Sequence, residues 1–221
     1  MKPYVIAIDG PSGTGKSSTA KELAKRLSID YLDTGAMYRG LSLKALEAGV
    51  APGDAAKLSE LAQGLEFRFP SLGVVELDGR DVSREIRMPE VSSRVSVDCA
   101  VPAVREALVA RQRAYGEGRS CVLDGRDIGT IVFPEARFKF YIDCDASERA
   151  RRRVAELETM GRQADFEEVR KNLLERDHLD STREVGPLKK ADDAIVVDTT
   201  DITFEQQVER ILAIVKAGVG G

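Results

Sequence analysis

An α/β fold built on a parallel sheet is predicted by three observations on the 221-residue chain. First, the continuous apolar run Tyr-Val-Ile-Ala-Ile at 4–8 passes directly into a glycine-rich turn and then a helical pattern. Such a run, rich in β-branched residues, suits a central strand buried on both faces. Second, further apolar runs recur at 29–32, at 137–144 and at 194–200, and "CVLDGRDIGTIVF" (121–133) gives another strand ending in Asp-Gly-Arg-Asp, which makes a five-stranded parallel sheet. Third, helical patterns at 16–27, 102–115, 167–179 and about 204–217 supply the crossovers that parallel strands require.

The elements follow in order. Gly10-Pro11-Ser12-Gly13-Thr14-Gly15-Lys16-Ser17, with Ser18 after it, matches the G-x-x-x-x-G-K-[ST] phosphate loop in every fixed position. Glycines let backbone N–H groups turn inward around phosphate oxygens, and the following helix points its positive dipole end at the same anion. Lys16 is placed to reach the β- and γ-phosphates, and the Ser17 hydroxyl to complete a Mg²⁺ shell. This predicts a nucleoside triphosphate site on a P-loop NTPase fold. The motif leaves three classes open: a GTP switch, an ATP-binding or motor module, and a small-molecule kinase. A switch needs an N-K-x-D to read guanine, but the sole asparagine, Asn172, is followed by leucine. A kinase needs a second anion pocket within reach of the loop.

Arginines supply that pocket. "IDYLDTGAMYRG" (29–40) reads as a strand whose exit, Asp33-Thr34-Gly35, caps a helix, placing Thr34, Tyr38 and Arg39 on the rim where α/β sheets bind ligands. Asp124 ends the third strand and is a candidate outer-shell partner for Mg²⁺, with Arg126 and Asp127 next on the exit turn. "SERARRRVAEL" (147–157) starts at a Ser147 cap and carries Arg149, Arg152 and Arg153 on one helical face. With a triphosphate expected nearby, that face reads as a lid that closes over ATP and excludes water. Arg176, Asp180 and Arg183 share a further face at i, i+4, i+7, as an internal ion-pair ladder or as a clamp on a sugar phosphate. His178 lies off that face and reads as a surface residue. Thr203 and Gln206 form a capping box ahead of the last helix, whose Val208, Ile211, Leu212 and Val215 make a packing stripe.

Between 54 and 95 the texture changes to short alternating segments, "LEFRFP", "GVVELDG" and "RDVSREI", which predict a small antiparallel three-stranded sheet in an inserted acceptor lobe. The expected organisation is core 1–53, lobe 54–95, core 96–148, a short helical lid 149–166 and core 167–221. Composition agrees with a globular protein: 43% hydrophobic with 32% charged residues argues against disorder. A net charge of −4, no tryptophan and no aromatics among the basic clusters argue against a nucleic-acid partner. The apolar start is too short for a membrane span or signal peptide. Cys99, Cys121 and Cys144 suit neither a zinc site nor a disulfide framework, so a reduced, cytoplasmic setting is expected. A monomer is the default.

Taken in order, "DGPSGTGKSS", "LDTGAMYRG", "EIRMPEVSSRVS", "DGRDIGTIVFP", "RARRR" and "ERDHLDSTR" resemble the bacterial cytidylate kinases, over residues 3 to about 200. The phosphate loop is shared by all nucleoside monophosphate kinases; "DGRDIGT" with the long insert and R-D-x-x-D-x-x-R is far more specific. The resemblance implies MgATP-dependent phosphorylation of CMP and dCMP. It also implies that Ser96, Arg105 and Asp127 read the cytosine edge, with Thr34 and Tyr38 lining the same pocket. Arg176 and Asp180 take the pentose, while Arg39, Arg126 and Arg183 hold the acceptor phosphate or the base edge beside it. Arg149, Arg152 and Arg153 belong to the lid, and no site is expected over 158–166. Alternatives on the same fold are a kinase of UMP, AMP or shikimate, and a non-catalytic ATP-binding module.

Overall fold

The apolar run near the start of the sequence becomes β1 (Val5–Asp9), and the sheet is assembled around it. The computed structural model describes residues 2–159 and 161–219. After β1 come α1 (Lys16–Leu27), β2 (Asp30–Asp33), α2 (Thr34–Glu47) and α3 (Ala55–Gly64). The short strands β3 (Phe67–Arg68), β4 (Glu76–Leu77) and β5 (Arg80–Asp81) precede α4 (Pro89–Asp98), α5 (Pro102–Gly116) and β6 (Cys121–Asp124). The remainder is β7 (Phe138–Asp143), α6 (Ala146–Thr159), α7 (Phe166–Thr182), β8 (Ile195–Asp198) and α8 (Phe204–Val219). The five long strands form one parallel sheet, as the sequence predicts, and its order is β2-β6-β1-β7-β8.

Strand alternation divides the core into two layers. Ile6 and Ile8 of β1 pack with Val122, Phe140 and the stripe Val208, Ile211, Leu212 and Val215 of α8. Ala7, between them, faces Leu32, Leu123 and the buried side of α2, α4 and α5. Register sets the ends of neighbouring strands at one level: Ile8 pairs with Asp124, and Asp124 with Asp33. Asp33 and Asp124 therefore emerge side by side where the chain turns into α2 and the segment after β6, with Asp9 one position further along at the exit of β1. β1 feeds α1 and is flanked by β6 and β7, so the connections diverge on either side of it, the place where α/β sheets open a crevice.

The caps follow the sequence with one exception. Asp33 accepts the Ala36 N–H at 2.8 Å and starts α2. Thr203 and Gln206 bond reciprocally ahead of α8. α6, however, is capped by Asp145, whose Oδ1 accepts the N–H groups of Ser147 (2.8 Å) and Glu148 (3.2 Å). Ser147 lies inside the first turn; a carboxylate two residues earlier already serves both amides.

The lobe is more helical than its alternating segments suggest. A three-stranded antiparallel sheet is there, but each strand is two residues long. α3 buries Leu58 and Ala62 at i, i+4, and Pro89 opens α4 at its first turn. The expected segment "RDVSREI" is strand only at Arg80–Asp81 and ends in a tight helical turn, Glu85–Arg87. Likewise β6 stops at Asp124, and Ile128–Val132 winds into a π-helical turn.

Candidate active site

The phosphate loop leaves β1 at Gly10, whose φ of +146° and contact with Ile142 exclude any side chain: a Cβ there would lie 2.1 Å from the Ile142 carbonyl oxygen. No side chain caps α1 and its first turn has no acidic residue, so its N–H groups face the cleft as an anion site. Lys16 is only 5% exposed. Its Nζ bonds the Pro11 carbonyl and, at 3.4 Å, Thr14 Oγ1, with no carboxylate in contact. Burial and then Arg126 push its ammonium well below the usual lysine range, a strain that a phosphate anion relieves.

Ser17 Oγ donates to Asp124 Oδ2 at 2.6 Å, and the Tyr31 hydroxyl donates to Oδ1 at 2.7 Å. Burial, with Asp33 next, pushes the Asp124 carboxyl up. Among the described residues Asp124 has no ion-pair partner, and no cluster of three or more metal-ligating side chains exists. A buried carboxylate on the Ser17 hydroxyl fits Mg²⁺, which keeps most of its water and takes phosphate oxygens in place of a protein cage.

The second pocket lies beside this loop. Arg39 reaches both Asp33 oxygens at 3.1 Å, and Arg87 reaches Asp33 at 3.4 Å. Arg126 Nε bonds Asp180 at 2.8 Å, and Arg183 reaches the other Asp180 oxygen at 3.3 Å. Burial alone raises the Asp180 carboxyl, but Arg126 and Arg183 outweigh it and hold it below the usual range. The ladder expected along α7 thus forms between Asp180 and Arg183, and Arg126 joins it from the sheet. Arg105 and Asp127 are paired to each other in the interior, with Arg105 5.2 Å from the Tyr38 ring. Gly186 (φ +60°) closes over the pair, since a Cβ there would meet Asp127 Oδ2 at 2.3 Å. Ser96, on α4, lines the same cleft, as does Thr34, whose hydroxyl donates to the Asp124 carbonyl at 2.6 Å.

Arg176 differs from its neighbours: it makes no ion pair and no side-chain hydrogen bond among the described residues, and its Nε is buried without a partner. Burial, then Arg126 and Arg39, depress its pKa, whereas Asp180 opposes the shift. The buried Arg39 Nε, Arg105 Nε and Tyr38 hydroxyl also lack partners. Buried donors left open in this way call for a bound acceptor.

Of the expected lid arginines, Arg149 is an anchor. It is 5% exposed and bonds the Ser12 and Cys144 carbonyls and Asp177. Arg152 bonds Glu148 and the Thr199 carbonyl; Arg153 bonds Glu156. All three still border the cleft, together with Arg162.

The cleft encloses about 920 Å³ and is lined by eleven arginines and Lys16 against five carboxylates, opposite in sign to the chain's net −4. Every expected site residue lines it except Gly10, Pro11 and Thr14, which shape the loop from behind. The sequence reading missed Arg84, Arg87 and Arg162, which line the cleft, and Asp177, Gly186 and Asp9, which support it. Arg87, Asp177 and Asp9 stand inside the quoted motifs "EIRMPEVSSRVS", "ERDHLDSTR" and "DGPSGTGKSS"; Gly186 carries no local signal of its role.

Asp9 is a strut. Its carboxylate accepts the N–H groups of Ile128 (2.8 Å) and Gly129 (2.7 Å), fixing the turn that follows Arg126 and Asp127. Burial is the main cause that raises its pKa to about 7; the two N–H bonds and Lys16 oppose the shift, and Asp127 adds to it. A carboxyl raised in the fold binds a proton there that the unfolded chain has already released, so its contribution falls as pH rises from about 4 to about 7. The stability difference between wild type and Asp9→Asn should shrink over that window by up to about 1.4 kcal/mol per pH unit and flatten above it. Urea unfolding at half-unit pH steps checks this; a pH-independent difference means that Asp9 is ionised throughout.

A phosphate loop and a second, arginine-lined anion pocket on one parallel α/β sheet define a P-loop kinase. The model of the cytidylate kinase family matches residues 6–217. The cytidylate kinase of Caldanaerobacter subterraneus subsp. tengcongensis is 47% identical over 216 residues, covering 98% of this chain and 96% of that protein. That of Bacteroides fragilis is 45% identical over 221 residues, covering 96% of each. The chain belongs to the cytidylate kinase family. Among solved structures, TT1252 from Thermus thermophilus has the same fold at 23% identity and a TM-score of 0.51, with both chains fully covered. An uncharacterized protein from Eubacterium ventriosum aligns at 16% identity and a TM-score of 0.54, covering 98% of this chain and 99% of its own.

Proposed function

We propose that this chain transfers the γ-phosphoryl group of MgATP to CMP or dCMP, giving CDP or dCDP and ADP. The observation that carries the reading is Arg176, a half-buried guanidinium with no anion of its own, beside Arg126 and Arg39 and across one cleft from the phosphate loop. A nucleotide acceptor seated there supplies the missing partner, its pentose oxygens on Arg176 and its phosphate on the neighbouring arginines. Full-length similarity to cytidylate kinases supports the base assignment.

ATP enters with its β- and γ-phosphates on the loop amides and Lys16. Ser17 and Asp124 would hold Mg²⁺, which would neutralise charge on the triphosphate. Arg39, Arg126 and Arg183 hold the acceptor phosphate, Arg176 and Asp180 the pentose, and Ser96, Arg105 and Asp127 the cytosine edge, with Thr34 and Tyr38 beside them. An oxygen of the CMP phosphate attacks the γ-phosphorus in line; the bond to the β–γ bridging oxygen breaks and its electrons remain on ADP. A phosphate monoester dianion is already a nucleophile, so no general base is needed. Catalysis is placement plus spread charge, with Lys16, Arg126, Arg183, the loop-anchored Arg149 and the lid residues Arg152 and Arg153 around the transferring group. A reduced, cytoplasmic setting fits three free, buried cysteines; no described helix is long and apolar enough to cross a membrane.

The test is ADP release from MgATP with CMP, dCMP, UMP, AMP, GMP and shikimate offered singly. Turnover confined to CMP and dCMP, with UMP trailing, is expected; equal turnover with AMP or shikimate overturns the acceptor. Asp180→Ala should impair CMP and dCMP unequally in kcat/KM, because a pentose contact distinguishes a 2′-hydroxyl from hydrogen. Equal losses would remove Asp180 from the pentose.

A further inference from the structure

Asp177 has none of the roles above, yet the phosphate loop, α6 and α7 meet at its carboxylate. Oδ1 accepts the Ser12 N–H at 3.0 Å, and Oδ2 accepts Arg149 Nη1. The same Arg149 nitrogen donates to the Ser12 carbonyl at 3.0 Å, and Arg149 Nε to the Cys144 carbonyl at 3.1 Å. The result is a closed triangle of loop backbone, arginine and carboxylate, joining positions 165 residues apart. The next residue, Gly13, is packed against the same elements: a Cβ there would lie 3.4 Å from Arg149 Cβ and 3.7 Å from Leu173 of α7.

Two functions fit a carboxylate at this place. It could occupy the anion site and compete with the nucleotide, or hold the loop from behind. Asp177 does not line the cleft, whereas Ser12, Gly13 and Arg149 do. It also leaves the uncapped first turn of α1 open. A plug would sit inside the cradle; this residue sits outside it and neutralises a guanidinium that must keep one orientation.

We infer that Asp177 is a positioning residue for the phosphoryl donor, fixing the Ser12 end of the loop and the Arg149 guanidinium so that a nucleoside triphosphate meets a preformed cradle. The inference rests on the donor-site reading above. It also explains the first aspartate of R-D-x-x-D-x-x-R: the second bonds arginines of the acceptor pocket, and the first, one turn earlier on α7, holds the donor loop. The motif thereby sets both pockets from one helix.

The experiment compares wild type, Asp177→Ala, Asp177→Asn, Asp177→Glu, Arg149→Ala and the Asp177→Ala/Arg149→Ala double variant. KM and kcat are measured for MgATP and for CMP, and ATP binding is measured without acceptor. Asp177→Ala should lower kcat/KM for MgATP by about ten- to a hundredfold, the scale of a small misplacement, with KM for CMP within about twofold. Asp177→Glu should recover more than Asp177→Asn, because the bond to Arg149 needs charge. The double variant should lose less than the product of the two single losses, since Asp177 acts partly through Arg149 and partly on the Ser12 N–H directly. An unchanged kcat/KM for MgATP in Asp177→Ala overturns the inference, as do fully additive losses or an equal rise in KM for CMP. If the alanine variant does not fold, the near-isosteric asparagine variant carries the same comparison. Wild type failing to bind ATP would instead overturn the donor-site reading, a result separate from equal binding by wild type and variant.

Discussion

Lys16→Met should lose at least about a hundredfold in kcat with MgATP and CMP, the order of effect seen when one preorganised charge-stabilising group is removed. Stability should hold or rise. The ammonium is buried against a carbonyl and a hydroxyl, and burial and Arg126 already disfavour its charged form. An apolar side chain of similar length removes that cost, so the melting temperature is expected to be equal or higher while turnover collapses. Such opposite movement marks a residue kept for chemistry at the expense of the fold. Turnover within tenfold of wild type would take Lys16 out of its assigned role.

Arg105→Ala should be the most destabilising single change in the acceptor pocket, by about 3–5 kcal/mol. Arg105 and Asp127 are paired with side-chain exposures of 2% and 5%, and Gly186 seals the pair from above. Truncating the arginine strands a buried carboxylate and removes the cation over the Tyr38 ring. Urea unfolding gives the magnitude, and Arg105→Met with Asp127→Asn is the control. By removing both charges it should recover most of the loss, even though it removes two of the proposed cytosine readers. A loss below about 1 kcal/mol in Arg105→Ala would mean that water reaches the pair.

The sheet was legible because its strands are continuous apolar runs, a pattern that burial on both faces explains for β1 and β6 and that the edge strand β8 keeps although Ile195 and Val196 are exposed. The donor loop was legible because its chemistry is local: eight consecutive residues make the turn, the cation and the hydroxyl. The acceptor pocket was less so. Arg39, Arg126 and Arg183 could be nominated from strand ends and helix spacing, but their pairing with Asp33 and Asp180 is set by tertiary packing. Arg176 could not be told from a ladder member, because its distinguishing feature is a partner it lacks. The lobe misled because alternation over two or three residues suits a short strand or a loop equally well, while α3 hides between loops with only Leu58 and Ala62 buried. Arg149 read as one of three equivalent lid charges. Its difference arises from Asp177, which is adjacent in space and 28 residues away in sequence.

The strand order has a consequence for the birth of the protein on the ribosome. β1 is flanked only by β6 and β7, so nothing made before residue 121 can pair with it. Tyr4 and Ser120, which join across the foot of those strands, are 116 residues apart. At typical elongation of about 5–20 residues per second, the nascent β1 waits on the order of 10 s with both hydrogen-bonding edges open. Its apolar side chains, later buried in both core layers, are exposed during that interval to chaperones and to other unfolded chains. The phosphate loop is thus translated early and given its shape late, when α7 brings Asp177 to Ser12.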